Sequence, residues 1–153
     1  MKVTPMRCMM SAAAMMVAAT TAQADEWVVK HSPYDVQETA DRLEGVIEGS
    51  PASLVARVDH QKSATDAGLE MEPATVFIFG NPALGTPLMQ ADPKSAMDLP
   101  ARVLIWEDAD GTQLGYLSAE TLSERYDLSD ATEALDKLSN ALNMLTDKAI
   151  AEE

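Results

Sequence analysis

The chain of 153 residues contains one cysteine, Cys8. Beyond that residue, disulfide bonding, thiolate catalysis and cysteine ligation of metals are excluded, and the body of the molecule has to hold itself together by packing. Histidine is nearly as scarce. His31 and His60 are the only two, far apart and without the spacing of a helical ligand pair. Aromatic residues make up 5%, and 11 basic residues face 25 acidic ones, for a net charge of −14. That surplus repels phosphate backbones and anionic lipid heads, so no nucleic-acid partner is expected. Cationic partners remain electrostatically allowed.

Two of the basic residues stand where they have a targeting meaning. Lys2 and Arg7 precede the uncharged Met/Ala/Val run Cys8–Thr21, and Ala22-Gln23-Ala24 supplies a small-x-small cleavage pattern. Residues 1–24 therefore read as a signal peptide. The run is too short and alanine-rich for a span, which needs about 20 apolar residues. Export to the periplasm or another secreted location is expected, with no stable membrane insertion once the leader is removed. Residues 25–153 then form one domain, long enough for its own core. Nine basic residues remain against 25 acidic ones, a net charge of −16.

Within that domain, Trp27–Lys30 reads as a first strand. Ser32 and Pro33 suit the start of a helix, with Asp35 as the capping-box carboxylate. Val36, Ala40, Leu43 and Ile47 form its apolar stripe, ending near Glu48 before Gly49-Ser50-Pro51. Leu54–Asp59 reads as a second strand with Leu54, Ala56, Val58 and His60 on one face. A short helix is expected over Lys62–Leu69.

Thr75–Phe79 is apolar on both faces, which predicts a strand covered on both sides. Asn81-Pro82 ends it, and helical turns are expected within Leu84–Ala91 and Ser95–Asp98. Val103–Trp106 follows, then a hairpin turn at Asp108–Gly111 returning through Gln113–Leu117. Thr121–Tyr126 suits a short helix. Asp130 and Glu133 form a capping-box pattern, and Leu135, Leu138, Leu142 and Leu145 follow at helical spacing over residues 130–149. The stripe is under three heptads long, so a helix packed on a sheet is the better reading than a coiled coil.

Few residues offer chemistry. His60 suits proton transfer or metal ligation. Glu107 and Asp108, adjacent on a strand, point to opposite faces and cannot readily act as a pair. Asp108, Asp110 and Gly111 lack the remaining ligands of a calcium loop. Gly80, Asn81 and Gly85 lack the Lys-Ser/Thr of a phosphate loop, and Pro82 removes an amide donor. No nucleophilic triad is readable, and no metal or cofactor is expected. The Asn81 amide and Thr86 hydroxyl, beside a buried strand and several chain breakers, could line a small cleft.

Pro73–Gly111 closely resembles the signature of the DUF302 family of uncharacterised proteins. The matching elements are Phe79-Gly80-Asn81-Pro82, Gly85-Thr86-Pro87-Leu88-Met89, Leu99-Pro100, and Trp106-Glu107-Asp108 followed by Gly111. His60 and Tyr116 resemble the family's histidine and return-strand tyrosine, and the likeness extends from about Trp27 to Leu128. The residues after Tyr116, Leu117-Ser118-Ala119-Glu120, depart from the family pattern. The resemblance implies an α+β domain: a twisted antiparallel sheet with helices on one face, in the order β-α-β-β-β-β-α with short extra helices. It also implies a TATA-binding-protein-like topology, without DNA binding, and a homodimer.

The family has no settled activity. The expectation is a non-enzymatic domain that binds a small ligand or a protein partner, with His60, Asn81, Thr86, Glu107 and Tyr116 as candidate ligand-binding residues. The alternatives are a metal-handling protein using His60 and acidic residues, and an enzyme with His60 as general acid/base. Both require His60 to converge with Asn81, Glu107 or Asp108.

Overall fold

The computed structural model describes residues 26–152. The expected signal peptide therefore lies outside the described residues. Five strands form one antiparallel sheet: β1 Trp27–His31, β2 Ser53–Asp59, β3 Ala74–Gly80, β4 Ala101–Asp108 and β5 Gly111–Leu117. Their spatial order is β1-β5-β4-β3-β2. The long helices α1 (Val36–Glu48) and α5 (Thr132–Ile150) cover one face. Three shorter helices, α2 (His60–Asp66), α3 (Pro82–Ala91) and α4 (Ala119–Arg125), fill the connections. This is the expected α+β architecture with helices on one side.

The covered face follows from alternation. Phe77 and Phe79 of β3, Val103 and Ile105 of β4, and Leu114 and Tyr116 of β5 all point into the core. They meet the predicted stripes of α1 and α5, whose spacing keeps their leucines on one side of each helix. At the far strand Lys30 ties β1 to α5. Its Nζ donates to Asn143 Oδ1 at 2.8 Å and Thr146 Oγ1 at 2.9 Å, and pairs with Asp147.

The other face is open. Register places Val76 beside Leu104, Leu104 beside Gly115, Val29 beside Gly115 and Trp27 beside Leu117 on that side. Trp106 lies across Gly115, where an added Cβ would meet its ring at 3.2 Å and push it aside by a few tenths of an ångström. The prediction that Thr75–Phe79 is covered on both sides is corrected. Thr75, Phe77 and Phe79 are buried, whereas Val76 and Ile78 are only half-buried because no second layer lies over them.

Other differences are local and have identifiable causes. Helix α1 begins after Asp35, whose Oδ1 accepts from Glu38 N–H, because the Ser32 hydroxyl is engaged with Thr39 Oγ1 at 2.7 Å. In β2 the pairing slips between Leu54 and Ala56. This bulge puts Leu54 opposite Phe79 and Arg57 opposite Phe77, separating Leu54 from the face of Ala56 and Val58. His60 is not on that strand face but opens α2, with Asp59 capping through Lys62 N–H. Helix α3 starts at Pro82 rather than Leu84, since Asn81 caps it and Pro82 suits a first helical position.

The expected Asp130–Glu133 capping box does not form. A 3-10 turn at Ser129–Ala131 precedes α5, and Glu133 pairs with Lys137 at 2.6 Å. The hairpin forms where expected, with Gly111 at φ +100°.

Candidate functional site

The helix-side core is not closed at the end of the sheet where β3 finishes and β4 begins. Three hollows open there around Ala101 and Leu138, which line all three. The first, about 230 Å³, lies beside α4 and is walled by Leu99, Tyr116, Leu122 and Leu142. The second, about 190 Å³, lies between α3, α5 and the loop before β2, with Leu84, Ala141 and Leu145 in its wall. The third, about 230 Å³, lies under α3 against Gly85, Met89 and Pro100. Their walls are mostly carbon, as burial of apolar stripes requires.

Polar groups stand at the rims. Asn81 Oδ1 accepts from Ala83 N–H at 2.9 Å, a helix cap that holds its amide at the edge of the second and third hollows. Thr86 is exposed on α3 at the third. The first hollow carries the charge: Glu26, Asp98, Arg102 and Arg125 stand around it. Arg125 bridges Glu26 and Asp98. Asp98 also accepts from the Tyr126 hydroxyl at 2.7 Å, and this bond holds the Tyr126 phenol above its ordinary pKa. Arg102 lies 3.9 Å from Asp98 and donates to the Met97 carbonyl at 2.6 Å.

Tyr116 borders the first hollow from the sheet. Burial raises its phenol pKa, against a hydrogen bond with Thr146 that lowers it. Thr146 donates to the Leu142 carbonyl at 2.8 Å and accepts from Lys30, so Tyr116 belongs to the tether between β1 and α5.

The five candidate residues therefore divide. Asn81, Thr86 and Tyr116 border neighbouring hollows. His60 and Glu107 lie at the opposite end of the sheet, since Asp59 pairs with Thr75 and Trp106 with Ala74. Strand β3 separates the two groups by about 20 Å. His60 is exposed in the first turn of α2, and Glu107 Oε2 accepts from Thr112 Oγ1 at 2.9 Å. Among the described residues, no three His, Cys, Asp or Glu side chains gather at a point suited to a metal.

Leu138, Arg102, Arg125 and Asp98 were not singled out from sequence. Leu138 reads as one more core leucine in a stripe. Arg125 comes from a separate segment that only folding brings to Asp98 and Arg102.

Comparison with known proteins places this geometry. Fluoride-specific ion channel FluC 1 of Brucella suis biovar 1 is 40% identical over 84 residues, covering 55% of this chain and 33% of the relative. Fluoride-specific ion channel FluC 2 of Brucella melitensis biotype 1 matches at 40% over 84 residues, covering 55% of this chain and 31% of the relative. The chain thus spans about a third of the length of the curated relatives it matches. Among the described residues, no helix is long and apolar enough to cross a membrane.

The crystal structure of an uncharacterized conserved DUF302 protein from Bacillus stearothermophilus superimposes with a TM-score of 0.65. It shares 15% identity and covers 83% of this chain and 97% of that one, a likeness of fold. The model of the domain of unknown function DUF302 matches residues 28–145, and the chain belongs to that family.

Proposed function

We propose that the protein is an exported, non-enzymatic binding domain that acts as a homodimer, with two copies meeting on the open face of the sheet. The observation that carries this reading is the chemistry of that face. An antiparallel sheet with one solvated side ordinarily turns polar residues outward. Here Val29 is 50% exposed and Trp27 41%, and Val76, Ile78, Leu104 and Trp106 continue the apolar surface inward. Five strands make a face about 24 Å wide and about 20 Å long. Two copies would cover about 1,000 Å² before side-chain relief is counted, the lower limit of a specific interface.

Light scattering on the purified protein at micromolar concentration tests the dimer. Twice the monomer mass is expected, and Ile78→Asp should halve it with the circular dichroism spectrum unchanged. A monomeric wild type would overturn the reading.

Within this proposal, ligand contacts fall to Asn81, Thr86 and Tyr116, which border the hollows. His60 and Glu107 stand apart from them at the other end of the sheet, so the imidazole gains no partner from Asn81, and among the described residues no three His, Cys, Asp or Glu gather for a metal. The element order is taken as TATA-binding-protein-like, a topological likeness that carries no DNA binding.

A second reading rests on the curated relatives. A segment like this one occupies a third of chains named as fluoride-specific ion channels. The domain would then serve such a channel by docking to it, because a net charge of −14 disfavours concentrating an anion itself.

A further inference from the structure

The three hollows are each smaller than the roughly 300–1,000 Å³ of an ordinary small-molecule pocket. A guest larger than one bay is therefore enclosed by none of these three alone. The bays are also neighbours that share Ala101 and Leu138 in their walls. A guest gains full burial here only if it is thin and flexible enough to pass from one bay into the next. The walls reject a polar guest, since its hydrogen-bonding groups would lose water without replacement.

Charge is confined to one end. The bays under α3 are rimmed by uncharged groups such as Asn81 and Thr86, while the bay beside α4 has two arginines and two carboxylates at its mouth. Arg125 is committed to Glu26 and Asp98. Arg102 is 52% exposed, and its nearest carboxylate is 3.9 Å away. It is the cation at the mouth with room for another anionic partner.

We infer that this cleft binds a single-chain amphiphile with a carboxylate head, a fatty acid in chemical class. The carboxylate pairs with Arg102, and the hydrocarbon runs past Leu138 towards the bays under α3. The bays lie on the helix side, while Arg102 leaves β4 on the open face beside Ile78 and reaches the mouth at the end of the sheet, so chain-length dependence, which the bays alone set, is the readout separate from the proposed dimer face.

Calorimetric titration of the purified protein with octanoate, decanoate and dodecanoate tests this. Affinity should rise about fourfold for each added methylene, the factor equivalent to burying one CH₂ group. Thr86→Trp, an exposed change that blocks the bay under α3, should abolish the gain from decanoate to dodecanoate. Leu138→Trp should remove binding of all three, with circular dichroism checking that the fold persists. Arg102→Gln should weaken dodecanoate at least fivefold while leaving dodecanol unchanged.

Absence of binding, affinity independent of chain length, or a Thr86→Trp protein that behaves like wild type would each overturn the inference. Light scattering of the same samples reports the dimer independently. Failure of one reading is thereby distinguished from failure of the other.

Discussion

The two faces of the sheet are built from alternate residues of the same strands, yet they have different fates. Phe77 is fully buried, while its neighbour Ile78 is only half-buried on the opposite side. Both are large and apolar, so side-chain chemistry alone does not say which face a helix layer will cover. That is decided by the stripes of α1 and α5, which can close over only one side. The lesson is that an apolar residue in a strand does not by itself say that its own chain will cover it.

Substitution can sharpen or break this contrast. The largest effect is expected from Phe77→Ala, which empties fully occupied space and should cost about 3–5 kcal/mol in denaturant unfolding. Ile78→Ser on the other face should cost under about 1 kcal/mol in protein dilute enough to be monomeric. Equal losses would show that both faces are internally packed and would remove the basis for a docking surface.

An intermediate effect is expected at the edge of the covered face. Lys30→Met leaves Thr146 and Asn143 without their donor and should cost about 1–3 kcal/mol by the same measurement. A change of only a few tenths would mean that β1 is held by its pairing with β5 alone.

The smallest effect concerns Arg57, which lies 5.4 Å over the Phe77 ring and pairs with Asp41 and Glu44 of α1. Its hydrogen bond, with one from Gln37, lowers the Asp41 pKa below the ordinary carboxylate value. A depressed folded-state pKa gives stability that is present above the unfolded value and lost as pH falls through the folded one. Asp41 is more than half exposed, so the contribution is a few tenths of a kcal/mol at most. The stability difference between wild type and Arg57→Gln should narrow between about pH 5 and about pH 3. A difference independent of pH would assign Arg57's contribution to packing on Phe77.

Much of the architecture was legible in the sequence because periodicity carries it. The stripes of Val36–Ile47 and Leu135–Leu145, the hairpin at Asp108–Gly111 and the break at Asn81-Pro82 all stand in or beside the expected elements. What failed depended on one residue more or less. The bulge after Leu54 reverses a face assignment that simple alternation predicts, and Ser32 is drawn away from capping by Thr39, a contact made seven positions along the chain. In the candidate site, Asn81, Thr86 and Tyr116 could be picked out by type and motif. Arg102 and Leu138 could not, because a strand arginine and a stripe leucine acquire their meaning only from the space around them.

The slip in β2 has a further consequence. The sheet has two edges, β1 and β2, and an endless cross-strand array would need both to accept a neighbour. Val55, 65% exposed at the irregular step, spoils β2 as a regular template, whereas β1 offers five residues in regular register. Edge-to-edge association would therefore stop at a closed pair joined through β1, because each newcomer would use the one regular edge its partner has. In such an association, distinct from the proposed face-to-face pair, the one extra residue in β2 would act as a chain terminator.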